Sequence, residues 1–549
     1  MPDRIGTAAR ASDRIWHEAC KRLSVPQGAR SLGDLANFPW VLHTAIAPKE
    51  VGMAADAQAQ RQIGAAPWDP LAALPRARPW LWLALAILVC VMQGPTFVRD
   101  LRPSPTDGVD FFQEWSSARN FLDGRPVYGP TEEAVERYLG FRLRAGERLT
   151  IGVNAHPPTS VLVIVPLALL DYPNAVLAWN LLSLLALGAS LWLVGRRLGL
   201  SLSLRSLLPA VVLLLLCGAF RHQMYQGQLN LLLLLLLTGV WAAERGGRDA
   251  AAGALLGLAT AVKLFPGLLF LYFVLGRRWK VVGSGVTSLL AVTGLTAALL
   301  GPGAYRDYVR DVLPRVDQFR AGWDNASLTG FWAKLFDPPP VPTPAAPSQA
   351  ESSSAEAPVL VDVMPIFPVE PLRRDPLLAR AGAATCCGAV LALLAWVAWR
   401  SRSRSQRDRA FGLSLVAMLL VSPICWEHYF LLLLLPLAQL WVSLPRSAAA
   451  RGLFLVLAVA LWLSPPDVWQ MAIPLSHVGN RPVWDAARPW QIVSVLSFQC
   501  YALLGLFAFL LWQWRREQLR EEASCPVQPP RTAEGGLAVL AEFRAAGAE

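Results

Sequence analysis

The chain has 549 residues, of which 54% are hydrophobic and only 16% charged, with 22 tryptophans. A soluble domain carries about a quarter charged residues, so this balance excludes an ordinary soluble protein and points to an all-α polytopic membrane protein. The net charge of +11 does not argue for a nucleic-acid partner, because the basic excess sits between apolar runs, where Lys and Arg orient a chain in a bilayer.

In chain order, residues 1–79 open on "MPDRIGTAARASDRIWHEACKRL", which is polar and amphipathic with no apolar core of signal-peptide type. They are expected to be a cytoplasmic segment, and the first span, near 80–98, an uncleaved anchor. Further spans are expected near 174–195, 206–221, 229–243, 250–262, 264–276, 281–300, 377–399, 410–424, 429–444, 451–464 and 490–513. Twelve crossings with the N-terminus inside put Arg196, Arg197, Arg245, Arg248, Arg277, Lys280, the cluster "RSRSRSQRDR", Arg446, Arg451, Arg515 and Arg516 in the cytoplasm together. That count requires "PPTSVLVIVPLALLDYP", residues 157–173, to dip into the membrane without crossing. The expected organisation is a transmembrane catalytic domain over 80–514 and a cytoplasmic tail over 515–549. Its outer loops are 99–173, with juxtamembrane helices, and 301–376, with a Pro-rich disordered insert. The eight cysteines contain no CxxC pair, so neither a zinc site nor a disulfide framework is expected. No carboxylate cluster of DxD type is present, and no metal or other cofactor is expected.

On this topology, the ionisable residues not assigned to the cytoplasm gather on one side of the membrane. Asp110 and Glu114 lie in "DFFQEWSSARNFLDGRPVYGP", and His156 precedes a Pro-Pro pair. Arg221, His222, Gln228 and Asn230 occupy a short expected turn, "FRHQMYQGQLN". Lys263 stands at the apex of "GLATAVKLFPGLLFLYF", where Pro266 breaks the helix. Asp324 and Asn325 fall in "GWDNASLTGFW", and Glu427 and His428 in "SPICWEHYF".

Singly, each has a bland explanation. Lys263 would snorkel to headgroups; Glu427 and His428 would pair with each other; Asp110 would be a solvated loop acid. Asn325 begins an N-x-S sequon, which signals surface exposure. Jointly, cations and a carboxylate facing one leaflet suit a lipid-linked phosphate and a proton acceptor. Asp110 and Glu114 are one helical turn apart, so either can be the base if 110–120 is helical, and their repulsion would raise one pKa.

"DFFQEWSSARNFLDGRPVY" and "HPPTSVLVIVPLALLDYPNAVLAWNLLSLL", then "GQLN", "AGALLGLA" and "KLFP", then "NASLTGFWAKLF" and "SPICWEHYFLLLLLP" resemble, in order, the blocks of glycosyltransferase family 87. The likeness spans residues 110 to about 436, and the "HPP" at His156 is similar to a motif of protein mannosyltransferases. Tyr429 stands where the family often has a second His. The resemblance implies a GT-C helical bundle in the plasma (inner) membrane with an extracytoplasmic active site. It also implies a polyprenyl-phosphate sugar donor, a glycolipid or glycan acceptor and inverting transfer. Asp110 falls at the family's general base, with Glu114 its rival. Lys263, His428, Arg221 and His222 become candidate phosphate contacts, and Gln228, Asn230, Asn325, His156 and Glu427 candidate substrate contacts. Mannose is the first expectation for the sugar and arabinofuranose the second. A transporter or flippase of lipid-linked sugars is the competing class, though no repeated halves with midplane breaks are evident.

Overall fold

The computed structural model describes residues 79–105, 110–141, 154–200, 204–338, 368–478 and 481–524. The N-terminal segment to residue 78, most of the Pro-rich insert and the tail beyond 524 lie outside the described residues.

Helix α1 (Pro79–Leu101) carries an almost unbroken apolar run. Trp80, Leu81, Ile87, Leu88, Val91 and Met92 are exposed on it, as expected of a helix whose solvent is lipid. Two short helices follow, α2 (Phe111–Leu122) and α3 (Thr131–Leu139). Next comes α4 (Pro158–Ile164), opened by Pro158 in its first turn, where the missing N–H costs nothing. With the 3-10 turn Leu167–Leu169, the 157–173 segment holds two turns of α-helix, about 10 Å in length. That is a third of a bilayer's hydrocarbon thickness. Helix α5 (Tyr172–Leu198) ends on Gly199 in the left-handed region, with Arg196 and Arg197 in its last turn.

The region expected to be a span over 206–221 and then a turn folds differently. Helix α6 (Leu204–Leu215) stops early, and residues through the expected turn form a second helix, α7 (Gly218–Gln226). Arg221 and His222 therefore stand on a helix. Glycines make the break. A Cβ on Gly218 would lie 2.8 Å from the Ser464 backbone, and Gly227 takes φ +62°, ending α7. Helix α8 (Asn230–Arg245) then departs at 116° to α7.

Helix α9 (Asp249–Val262) runs into a 3-10 turn, Phe265–Gly267, and then α10 (Leu268–Leu275) and α11 (Trp279–Leu300). Helices α9 and α11 meet along a seam of small residues. A Cβ on Gly257 would fall 2.3 Å from the Gly285 carbonyl oxygen, and one on Gly253 2.2 Å from that of Val281. This is a GxxxG contact, which lets two backbones in lipid approach closely.

Short helices α12 (Pro302–Asp307) and α13 (Leu313–Val316) lead to α14 (Leu328–Phe336). The chain continues through α15 (Pro376–Arg400) and α16 (Arg404–Val421), then a 3-10 segment Glu427–Leu433 into α17 (Leu434–Ser443). Helices α18 (Ala448–Trp462) and α19 (Pro465–Trp469) precede a hairpin, β1 (Leu475–Val478) with β2 (Arg481–Trp484), antiparallel with Leu475 opposite Trp484. Helix α20 (Pro489–Val493) and α21 (Phe498–Ser524) close the described chain. Helix α21 passes residue 515, so the expected tail begins as helix.

The architecture is helical. Among the described residues, five segments are long and apolar enough to cross a bilayer, and six if α7 and α8 count as one broken span. Helices stand at all twelve expected positions; by length and composition, five or six of those positions qualify as crossings.

Polar clusters mark the two ends of α8. At the C-terminal end of α8, Arg278 pairs with Glu244 and Asp249 at 2.6 Å each, and Arg409 with Glu517 at 2.6 Å. There Asp408 takes Arg245 and the Trp241 indole N–H together. About 22 Å away, at the N-terminal end of α8, lies a second polar cluster with few arginines. Beside it, Lys334 is buried and donates to the carbonyls of Trp323, Asn325 and Leu496 at 3.0–3.2 Å, tying α14 to the segment before α21. The two feet of the Pro-rich insert also meet there. Leu372 and Asp375 donate backbone N–H groups to Leu335 and Phe336 at 2.9 and 2.8 Å, and Arg374 reaches the Pro338 carbonyl at 3.3 Å.

Candidate active site

Asp110 is the N-cap of α2, and its hydrogen-bond partners come from α2 itself and from the turn between α7 and α8. Its backbone N–H donates to Gln226 Oε1 at 2.9 Å. The Gln228 Nε2 donates to its Oδ2 at 2.5 Å, and Gln113 Nε2 to its Oδ1 at 3.1 Å. On the far side of Gln228, Lys263 Nζ donates to Gln228 Oε1 at 3.3 Å and to Asn230 Oδ1 at 3.4 Å. Asn230 Nδ2 donates to Gln223 Oε1 at 3.1 Å, and Gln223 Nε2 to the Gln228 carbonyl. Lys263 also lies 4.4 Å above the Tyr429 ring, a cation–π contact. Lys263, Gln228, Asn230 and Gln223 are all buried.

Gly227 explains how the motif "QGQLN" reaches Asp110. Its positive φ turns the chain between α7 and α8, and a Cβ there would sit 2.7 Å from Cβ of Phe111, the residue after Asp110. The Gly227 carbonyl accepts from Trp179 Nε1 at 2.7 Å, which fixes the turn.

Two acid–imidazole pairs flank this centre. Glu114 pairs with His156 Nδ1, so the rival to Asp110 faces a histidine, whereas Asp110 faces amides. Glu427 pairs with His222 Nδ1 at 2.7 Å; its partner is thus His222, not its neighbour His428. The His428 ring packs edge-on against His222, with centroids 5.0 Å apart. Both His428 ring nitrogens and the second Glu427 oxygen are buried with no protein partner. Buried polar atoms almost always have a partner, so these invite a ligand.

Burial holds the Asp110 carboxyl above the usual range of an aspartate, and the Glu114 charge pushes the same way, against the Gln228 hydrogen bond and the two histidines. Asp324, in the loop before α14, is pushed up to about 6, chiefly by burial.

Two expected contacts need correction. Asn325 is buried, not a surface sequon, and its side chain is spent on backbone. Its Nδ2 donates to the Arg320 and Pro423 carbonyls at 2.8 Å, while its Oδ1 accepts from Ser327 and Cys425 N–H at 3.0 and 2.9 Å. It pins two loops and has no hydrogen-bonding capacity left for a sugar. Arg221 pairs at 3.7 Å with the largely exposed Asp467, so its charge is matched outside the amide cluster. Residues not singled out as site candidates from the sequence are Gln113, Gln223 and Gln226. For Gln223 and Gln226 the signal was present in "RHQMYQGQLN", where polar side chains crowd against an apolar run.

The model for glycosyltransferase family 87 matches residues 154–423, from the His156 loop to just before Glu427. The chain is a glycosyltransferase of family 87. This family 87 enzyme is 27% identical over 363 residues to a polyprenol-phosphate-mannose-dependent alpha-(1-2)-phosphatidylinositol pentamannoside mannosyltransferase of Mycolicibacterium smegmatis, covering 64% of this chain and 76% of that protein. It is 28% identical over 376 residues to the like-named protein of Mycobacterium tuberculosis, covering 66% and 74%. Among solved structures, the enzyme aligns with ArnT from Cupriavidus metallidurans bound to undecaprenyl phosphate, at 17% identity and TM-score 0.33, over 81% of this chain and 78% of that one. With its lipid-facing helices, the family 87 enzyme is an integral membrane protein.

Proposed function

We propose that this enzyme transfers a hexosyl residue, mannose first among candidates, from a polyprenyl-phosphate donor to an extracytoplasmic glycolipid or glycan. Asp110 removes the acceptor hydroxyl proton as that oxygen displaces the lipid phosphate with inversion. One observation carries the reading: a carboxylate and a buried ammonium are held in one hydrogen-bonded cluster, joined through a single amide, at one end of the bundle. The carboxylate faces amide donors, with the Lys263 cation one side chain removed, which suits a base. Lys263 and the unpartnered His428 supply cationic and hydrogen-bonding contacts for the departing phosphate, whose charge grows in the transition state. Phosphate is a competent leaving group, so no second carboxylic acid is needed, unlike in glycosidases. Glu427 and His156 surround this centre as substrate contacts, and His222 is a further phosphate contact.

The arginine-rich cluster at the opposite end supports an extracytoplasmic site in the inner membrane, by the positive-inside bias. The relatives' names support mannose and an inositol mannoside acceptor; arabinofuranose is the alternative tested beside it. Purified enzyme in nanodiscs is given polyprenyl-phosphomannose or polyprenyl-phosphoarabinose with phosphatidylinositol mannosides. Asp110→Asn is expected to lose 10²- to 10⁴-fold in transfer while still binding donor. Transfer within threefold of wild type removes Asp110 from the base role, and transfer of arabinose alone removes mannose.

A further inference from the structure

Gln228 was expected among the substrate contacts, but both ends of its amide are engaged by protein. Lys263 can only donate and the Asp110 carboxylate can only accept, so Gln228 satisfies both in one orientation, Oε1 to the lysine and Nε2 to the acid. Its backbone is fixed as well. The carbonyl of Gln228 accepts from Gln223, whose Oε1 takes Asn230, whose Oδ1 in turn takes Lys263. The loop therefore closes on itself, and each amide within it has one permitted polarity. Asn at 228 would be one methylene too short to keep both contacts.

We propose that Gln228 is a positioning residue that transmits the charge of Lys263 to Asp110 through one oriented amide, holding the acid and the cation of the reaction in register. A polarised amide is a stronger donor than an isolated one, so the carboxylate senses Lys263 without touching it. The catalytic meaning of this relay rests on Asp110 being the base; the coupling itself does not. The other charged or titratable groups facing Asp110 are Glu114 from its own helix, His222 from α7, His156 from the loop before α4, Lys263 from the end of α9 and Tyr429 from the 3-10 segment. Gln228 opposes the burial and the Glu114 charge that disfavour ionisation.

The test reads the acid directly. The Asp110 carboxyl C=O stretch is followed against pH by infrared difference spectroscopy on full-length enzyme in nanodiscs, assigned by its loss in Asp110→Asn. Gln228→Leu, similar in volume and without the amide, is expected to raise the midpoint by about one pH unit, since a hydrogen bond to a charged group is lost. Gln228→Glu keeps an acceptor for Lys263 but sets a second carboxyl against Asp110, so its midpoint rises further. It also serves if Gln228→Leu does not fold. An unmoved midpoint in the folded variant, with transfer reduced evenly at all pH values, makes Gln228 a merely structural residue and overturns the proposal. If Asp110→Asn keeps its transfer activity while the Gln228→Leu midpoint moves, the base assignment falls and the relay stands.

Discussion

Gly227→Ala tests the site without touching a charged group. The native φ of +62° costs an alanine about 1–2 kcal/mol. The added methyl would lie 2.7 Å from Phe111 Cβ. That atom is bonded to the backbone next to Asp110 and cannot rotate away. Restoring ordinary carbon contact requires a displacement of about 0.8–1.3 Å, and the stretch of chain that must move is the start of α2. The Gln228–Asp110 contact, 2.5 Å long, joins the residues next to Gly227 and Phe111, so it is disturbed by the shift. A misplacement of about 1 Å at a reacting group costs on the order of 100-fold in rate. The variant is expected to fold, with a thermal midpoint a few degrees lower, and to lose on the order of 100-fold in kcat/KM for sugar transfer, mostly in kcat. The assay is mannose transfer from polyprenyl-phosphomannose in nanodiscs, alongside a melting curve. If Gly227→Ala retains more than a third of wild-type kcat/KM, the turn is not what sets Asp110, and the geometric argument fails.

Three further outcomes are expected. Transfer should rise with pH along an acid limb whose midpoint lies above 3.8, because the Asp110 carboxyl is raised and only its ionised form is a base; a limb at or below 3.8 contradicts it. Asp324, raised to about 6 in the fold, favours folding below 3.8 and loses that contribution as pH climbs through about 6. Asp324→Asn should thus gain melting temperature relative to wild type between those values and hold the gain above them; a pH-independent difference refutes it. Gly257→Val, which drives a side chain into the Gly285 carbonyl, should cost about 3 kcal/mol or more, read as loss of a monodisperse peak in detergent. A variant that melts like wild type shows that α9 and α11 do not depend on that seam.

The apolar runs made the helices legible, since twelve stretches of leucine and alanine became twelve helical regions. Breaks were harder to read. The end of α6 and start of α7 lie inside a continuous apolar-to-polar passage, and only the close approach of Gly218 to Ser464 decides them. At the site, Asp110, Lys263, His428 and the QGQLN residues could be singled out because polar groups are costly beside lipid. Their partners could not. Whether Glu427 takes His222 or His428, and whether Asn325 faces water or two loops, depends on contacts across about 100 or more residues of chain, which local pattern does not encode. Gln228 shows the limit most clearly: its residue type permits a sugar contact or an internal bridge, and only the positions of Lys263 and Asp110 choose between them.

The pinned feet at Leu335–Phe336 and Leu372–Asp375 have a bearing on engineering and descent. A chain segment whose entry and exit are clamped side by side acts as an appendage, because altering its length adds little strain to what holds it, and loop-closure entropy grows only with the logarithm of length. Reporter domains or affinity tags spliced between Pro338 and Pro368 would hang from that clamp, and related chains are free to differ there in size while keeping the same reaction centre.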